Sequence, residues 1–260
     1  MSTDLKSTFF TVTILSTVIV FMPMGYAKTP AQADKVLRVA FEAPDDGFDM
    51  VKTFNFYSGN VADVIFERLL QYDYLANPVK LVPSTAESLP VIEKNGQVYI
   101  FKIKPGIYFT DDPAFKGKRR ELVAEDYVYS IKRILDPKNH APSFSFIDNK
   151  LVGANALVDQ AKKTGTFNYD AKIDGVKALD KYTIQFKLTQ PDYNFPYILA
   201  YSTFGATARE VVEYYKDQLG MHPVGTGPYM LSRYVPRSKI ELIANPDYRG
   251  FVWNFKSTGT

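Results

Sequence analysis

Apolar and polar residues alternate along this chain in two rhythms. Between residues 98 and 103, Tyr99, Phe101 and Ile103 fall on one side and Lys102 on the other, the two-residue period of a half-buried strand. Val91-Ile92 precedes it with Asn95-Gly96 between, a dipeptide that tolerates positive φ at both positions and so predicts a hairpin. The alternation returns in Tyr182, Ile184, Phe186 and Leu188 against Thr183, Gln185 and Lys187, with residues 175–179 as partner across Asp180-Lys181. Elsewhere the period lengthens. Val61, Val64, Ile65 and Leu69 recur at helical spacing over residues 60–70, with Asn60 as N-cap. Residues 125–135 predict an amphipathic helix that buries Tyr127, Val128, Ile131, Ile134 and Leu135. Glu125 and Asp126 suit its positive end, and Asp136-Pro137 stops it. A last helix covers residues 208–219 and ends at Gly220.

The remaining segments are extended or turning. Residues 36–41 predict a short strand that runs into a turn-rich loop over 42–49, and residues 81–90 are extended and punctuated by proline. Lys104-Pro105-Gly106 turns the chain again. Near the end, Gly225-Thr226-Gly227-Pro228 reads as a rigid crossing poor in side chains, with two glycines free to take positive φ and a proline that fixes the backbone leaving it. Tyr229-Met230-Leu231 and residues 239–244 predict paired strands around Pro236-Arg237-Ser238. No repeat or low-complexity tract interrupts the series. Hairpins with intervening helices predict a mixed α/β (α+β) fold rather than regular βαβ units.

The first residues follow neither rhythm. Residues 9–22 are an apolar run too short to span a membrane comfortably, with Lys6 ahead of it and small residues at Gly25 and Ala27. That is the layout of an export signal over residues 1–27, cleaved after Ala27, with Ala33 as a second site and an uncleaved anchor as the alternative. Cleavage removes one acid and one base, so the net charge stays at +3. The chain has no cysteine. Disulfides and thiolate metal sites are therefore impossible, and no residue after the apolar run can take a lipid.

Composition narrows the function. At 46% hydrophobic and 23% charged, 260 residues suffice for a core. A charge of +3 is too mild for nucleic acid, and Lys118-Arg119-Arg120 reads as a solvated loop. An enzyme needs converging titratable groups. The two histidines, His140 and His222, lie in loops beside or near prolines, no metal-ligand spacing is present, and Gly225-Thr226-Gly227 lacks the third glycine and helix start of a nucleotide loop. Glu42, Asp45, Asp46 and Asp49 could meet a ligand ammonium or a divalent cation, or form a solvated turn cluster. Abundant Tyr (18) and Phe (19) suit either a ligand-gripping surface or an aromatic core.

Five stretches carry a resemblance. They are residues 64–73 (Val-Ile-Phe-Glu-Arg-Leu-Leu-Gln-Tyr-Asp), residues 81–109 through Ala86-Glu87-Ser88 to Lys104-Pro105-Gly106, and residues 124–137 from Ala124-Glu125-Asp126 to Asp136-Pro137. The others are Met221-His-Pro-Val-Gly-Thr-Gly-Pro-Tyr229 and Asn245-Pro-Asp-Tyr-Arg249. In this order they resemble the family 5 extracellular solute-binding proteins of ABC transporters, the oligopeptide- and dipeptide-binding group. Two departures stand out: Val123 replaces the usual threonine cap, and residues 112–121 form a longer, more basic turn.

The resemblance implies a periplasmic binding protein type II-like fold, of which this chain holds the first lobe with two subdomains. Residues 36–52 and 195–250 would give the core subdomain, residues 53–192 the second, and residues 251–260 a truncated entry to a missing second lobe. The implied role is capture of a peptide in the periplasm for an inner-membrane ABC permease, by a monomer without cofactor, metal or catalytic residues. Oligosaccharide, haem, glutathione or a nickel chelate are alternative solutes, and a secreted hydrolase or sensor domain the alternative class. Solute contacts would come from Phe48, Phe54, Asn55 and Phe56 after the first strand and from Thr226 and Gly227 at the crossing, although buried packing uses the same residue types. A ligand held between two closing lobes would be bound weakly by this portion alone.

Overall fold

The alternating segments meet in one antiparallel sheet. The computed structural model describes residues 35–252 and 256; the export signal expected over residues 1–27 lies outside them. In chain order the elements are α1 (Phe56–Ile65), β1 (Leu70–Tyr72), β2 (Leu81–Pro83), β3 (Val91–Glu93), β4 (Val98–Lys102), α2 (Ala124–Leu135) and α3 (Ala154–Thr164). Then come β5 (Val176–Ala178), β6 (Thr183–Lys187), α4 (Phe195–Ile198), α5 (Arg209–Tyr215), β7 (Tyr229–Val235) and β8 (Lys239–Ala244). The four-stranded sheet runs β3-β4-β6-β5, and β1–β2 and β7–β8 form two-stranded ribbons. Tyr99 lies opposite Phe186 and Phe101 opposite Ile184. The inward residues are thus the alternating ones, and the rings of Phe101 and Phe186 meet edge to face at 5.8 Å.

Two clusters of buried side chains result. The larger joins the sheet to α2 and α3 and extends through Phe195, Phe204 and Val211 to Val224. The smaller gathers Phe48, Met50, Val61, Ala62, Ile65 and Phe66 under β7–β8, whose Leu231, Tyr234, Ile240 and Leu242 cover it.

Several elements depart from the sequence expectation. Residues 36–41 form no strand, and Leu37 is 86% exposed; alternation produces a strand only where a neighbour completes the ladder. Helix α1 begins five residues early, because Asn55 rather than Asn60 is its N-cap, its side chain accepting from Tyr57 N at 2.8 Å. It ends at Ile65, where Phe66 turns extended. The β3–β4 loop takes Lys94 as well as Asn95 and Gly96 into positive φ. Helix α3 is not among the elements that the periodicity announces. The expected helix over 208–219 breaks at Tyr215 into a 3-10 segment, Lys216–Met221.

Helix α2 is buried on nearly every side rather than along one stripe, so its polar residues find internal partners. Arg133, 4% exposed, holds Asp49, 7% exposed, through two hydrogen bonds of 3.0 Å. Lys132 Nζ donates to the Tyr169 carbonyl at 2.8 Å. At the helix start Val123 has no side chain to cap with, but its N–H donates to Asp126 Oδ2 at 2.8 Å. This keeps half of a reciprocal capping arrangement. Arg120 is not part of a solvated basic run: it bonds Asp126 at 2.6 Å and Glu210 at 2.9 Å, while Arg119 lies 3.9 Å above the Tyr108 ring.

The Asp49–Arg133 pair generates a sharp expectation. Asp49→Ala strands a buried guanidinium and should cost about 3–5 kcal/mol, whereas Asp49→Leu combined with Arg133→Met should recover most of that loss. Urea unfolding of the two variants measures both; equal losses would show that the pair stabilises by attraction rather than by mutual compensation.

Candidate functional site

The crossing at residues 225–228 is built by contact with the end of α1. Gly227 N donates to the Ile65 carbonyl at 2.8 Å. A Cβ on Gly225 would lie 2.0 Å from Ile65 O, and one on Gly227 2.4 Å from Val64 O. Neither glycine has positive φ. Closeness of approach, not the turn freedom expected from sequence, is what demands glycine here.

Glu67, 7% exposed, sits at the centre of this junction. Its carboxylate accepts from Thr226 Oγ1 at 2.9 Å and from Arg249 in a forked pair at 2.6 and 2.7 Å. Its carbonyl accepts from Ala206 N at 3.1 Å and from Tyr127 Oη at 3.2 Å. Asn245 Nδ2 closes the group by donating to Gly227 O at 2.9 Å. Burial works against the Arg249 charge, but the fork to Glu67 outweighs it and holds the guanidinium pKa above its ordinary value. Burial also pushes the Tyr127 hydroxyl far up, so it stays protonated.

The six residues singled out from sequence separate around this junction. Phe48 is 1% exposed and packs on Tyr234 with ring centroids 4.9 Å apart. Thr226 is 2% exposed with its hydroxyl committed to Glu67, and Gly227 is pressed against α1. These three support the site from within rather than offering surface. Asn55 caps α1 and donates to Pro44 O at 3.0 Å. Phe54 and Phe56 are 63% and 74% exposed, an unusual investment of aromatic surface beside well-packed neighbours. The acidic group is dispersed: Asp49 is buried on Arg133, and Asp45 accepts from Tyr234 Oη. Among the described residues no cluster of His, Cys, Asp and Glu is placed to hold a metal ion. His222 stacks on Tyr215 at 4.1 Å.

Sequence reasoning missed the surface that continues from Phe56. On α1, Phe56, Asn60 and Asp63 are exposed and share one helical face. Asp63 lines a cleft of about 420 Å³ together with Arg68, Gln71, Tyr72, Tyr201 and Phe251. Tyr72 meets Tyr201 edge to face at 6.1 Å, and Tyr201 stacks on Phe146 at 5.5 Å. Burial, and then the neighbouring Tyr201, push the Tyr72 hydroxyl up to about 12; it donates to the Tyr197 carbonyl at 3.0 Å. A larger cleft of about 660 Å³ shares Gln71 and Phe251 with the first and is lined by Glu67, Lys104 and Arg249. The tyrosine count was a signal in the sequence, but nothing local said that Tyr72 and Tyr201 would meet.

The two kinds of glycine predict opposite outcomes. Gly225→Ala forces a carbonyl to move and should cost about 3 kcal/mol. Gly59→Ala, inside α1 with nothing within 4 Å of the new Cβ, should stabilise by about 0.5–1 kcal/mol. Thermal and urea unfolding read both signs.

Comparison with known proteins places these features. Residues 80–257 match the profile of the bacterial extracellular solute-binding proteins, family 5. Di/tripeptide-binding protein 4 of Pseudomonas aeruginosa is 30% identical over 235 residues, covering 84% of this chain and 39% of that protein. The probable ABC transporter periplasmic-binding protein SapA of Escherichia coli is 29% identical, over 78% of this chain and 38% of its own. Among solved structures, Haemophilus influenzae OppA in complex with RPPGFSPFR is 26% identical with a TM-score of 0.65, over 80% of this chain and 37% of that one. A periplasmic oligopeptide-binding protein of Borrelia burgdorferi is 25% identical at a TM-score of 0.66, with 80% and 38% covered. The chain thus spans about two fifths of the length of these relatives, and its fold is the type II-like one of periplasmic peptide-binding proteins. It belongs to family 5 of the bacterial extracellular solute-binding proteins.

Proposed function

We propose that these residues form the first lobe of a periplasmic solute-binding protein that captures peptides and delivers them to an inner-membrane ABC permease. The observation that carries this reading is the exposed aromatic surface on a family 5 fold. Phe54 and Phe56 project at the start of α1, and the exposed face of that helix leads to the Tyr72–Tyr201 cleft. A peptide offers apolar side chains to such a wall and backbone groups to its hydroxyls. The relatives named for di- and tripeptides and the one solved with a nonapeptide support peptide as the solute class.

In this reading the division of labour follows burial. Phe54, Phe56 and the tyrosines touch solute, Asn55 fixes the loop that presents the two phenylalanines, and Thr226, Gly227 and Glu67 hold the frame. Residues 36–52 and 195–250 belong to the lobe's core subdomain and residues 53–192 to the other. The protein acts as a monomer without catalysis, and it reaches the periplasm by cleavage after Ala27, without a lipid anchor.

One wall of a two-walled clamp leaves solute half wetted while association still costs several kcal/mol. The 260-residue chain should therefore bind di- and tripeptides with Kd in roughly the millimolar range. A nuclear magnetic resonance titration with a peptide mixture measures this. Shifts should concentrate at residues 53–57 and around Tyr72 and Tyr201, and Phe54→Ser with Phe56→Ser should weaken them about tenfold. Shifts confined to other surfaces, or none, would overturn the assignment.

A further inference from the structure

We propose that the Tyr72–Tyr201 cleft is a side-chain subsite selective for a basic residue of the bound peptide, with Asp63 as the charge that selects it. The inference rests on the peptide-binding reading above and adds which peptides are preferred.

Two charges line the cleft, and they differ in reach. Arg68 donates from Nη1 to Asp63 Oδ1 at 2.5 Å, and its side chain is only 13% exposed. The Asp63 side chain is 50% exposed. The cation is sunk into the wall, while the carboxylate stands at the opening. A ligand entering the cleft meets the negative partner first.

The aromatic surroundings favour the same sign. Tyr72 is 38% and Tyr201 48% exposed. Their edge-to-face packing, with Phe146 stacked behind Tyr201, fixes the rings and leaves part of their surface accessible. Accessible π-surface near a carboxylate attracts ammonium and guanidinium groups and is indifferent or repulsive to carboxylates. The volume of about 420 Å³ holds the stem of a lysine or arginine along the rings, with the charged head towards Asp63 and water. Gln71 and Ser202, which also line the cleft, are neutral and do not alter the balance.

The experiment compares tripeptides that differ in one side chain, with lysine, alanine, phenylalanine or glutamate at each position in turn. All carry the same free termini, so differences report the side chain alone. Resonance titrations of the 260-residue chain should show, at one position, lysine bound about tenfold more tightly than alanine and glutamate more weakly than either. In Asp63→Asn the lysine-to-alanine ratio should fall towards one, and Tyr201→Leu should also reduce it. Because the readout is a ratio within one protein, a uniform loss of affinity or stability leaves it unaffected. Binding without a lysine preference, a preference for phenylalanine over lysine, or a ratio that survives Asp63→Asn would overturn this inference and leave the peptide-binding reading standing. Failure of every peptide to bind would overturn both.

Discussion

The carboxylate of Glu67 is the point on which the frame depends. Three segments remote in sequence converge on it: the end of α1, the crossing at Thr226, and the exit at Arg249. A buried carboxylate is tolerable only if its lone pairs are filled, and here two are filled by a fork and one by a hydroxyl. The Thr226 hydroxyl arrives on backbone that must pass close to α1. The glycines of the crossing follow from that requirement, since any side chain would hold the crossing away from α1 and leave Thr226 short of its acceptor.

The same logic, polar groups that are buried because they are mutually satisfied, recurs around α2. Asp49–Arg133 ties the loop before α1 to the middle of the large core, and Arg120 joins Asp126 to Glu210. These links stabilise little beyond what an apolar core would provide. Their effect is to fix position. The loop that presents Phe54 and Phe56 is held at one end by Asp49 and at the other by the Asn55 cap, so two exposed aromatics stand on an immobilised base.

How much of this was legible in the sequence depended on the range of the interaction. Local periodicity located β3, β4, β6 and α2 because each repeats its signal over several residues. It mislaid the start of α1, where Asn55 and Asn60 are equally good caps and tertiary contact decides between them. Helix α3 carried the right spacing in Leu157, Val158 and Ala161, but flanking glycines and lysines diluted it. The Gly225 and Gly227 positions were recognisable as special, yet for the wrong reason, since positive φ and close approach demand the same residue. Pairings across the chain, Glu67 with Arg249 or Tyr72 with Tyr201, leave no periodic trace. They became visible only when the fold brought them together, which is why Phe54 and Phe56 stand out in the sequence and Tyr201 does not.

The tyrosines of the cleft have one more physical consequence. A recess walled by phenylalanine or leucine tends to close on itself when empty, because water against an apolar concavity is poorly bonded. Hydroxyl-bearing rings behave otherwise: they shed some water from their faces while their rims stay hydrated. Such a recess stays open and wet at little free-energy cost. In the proposed peptide-binding role, an incoming side chain would displace the loosely held water over the rings and leave the firmly held water at the rim, so the cleft would accept a new occupant without first having to be reopened.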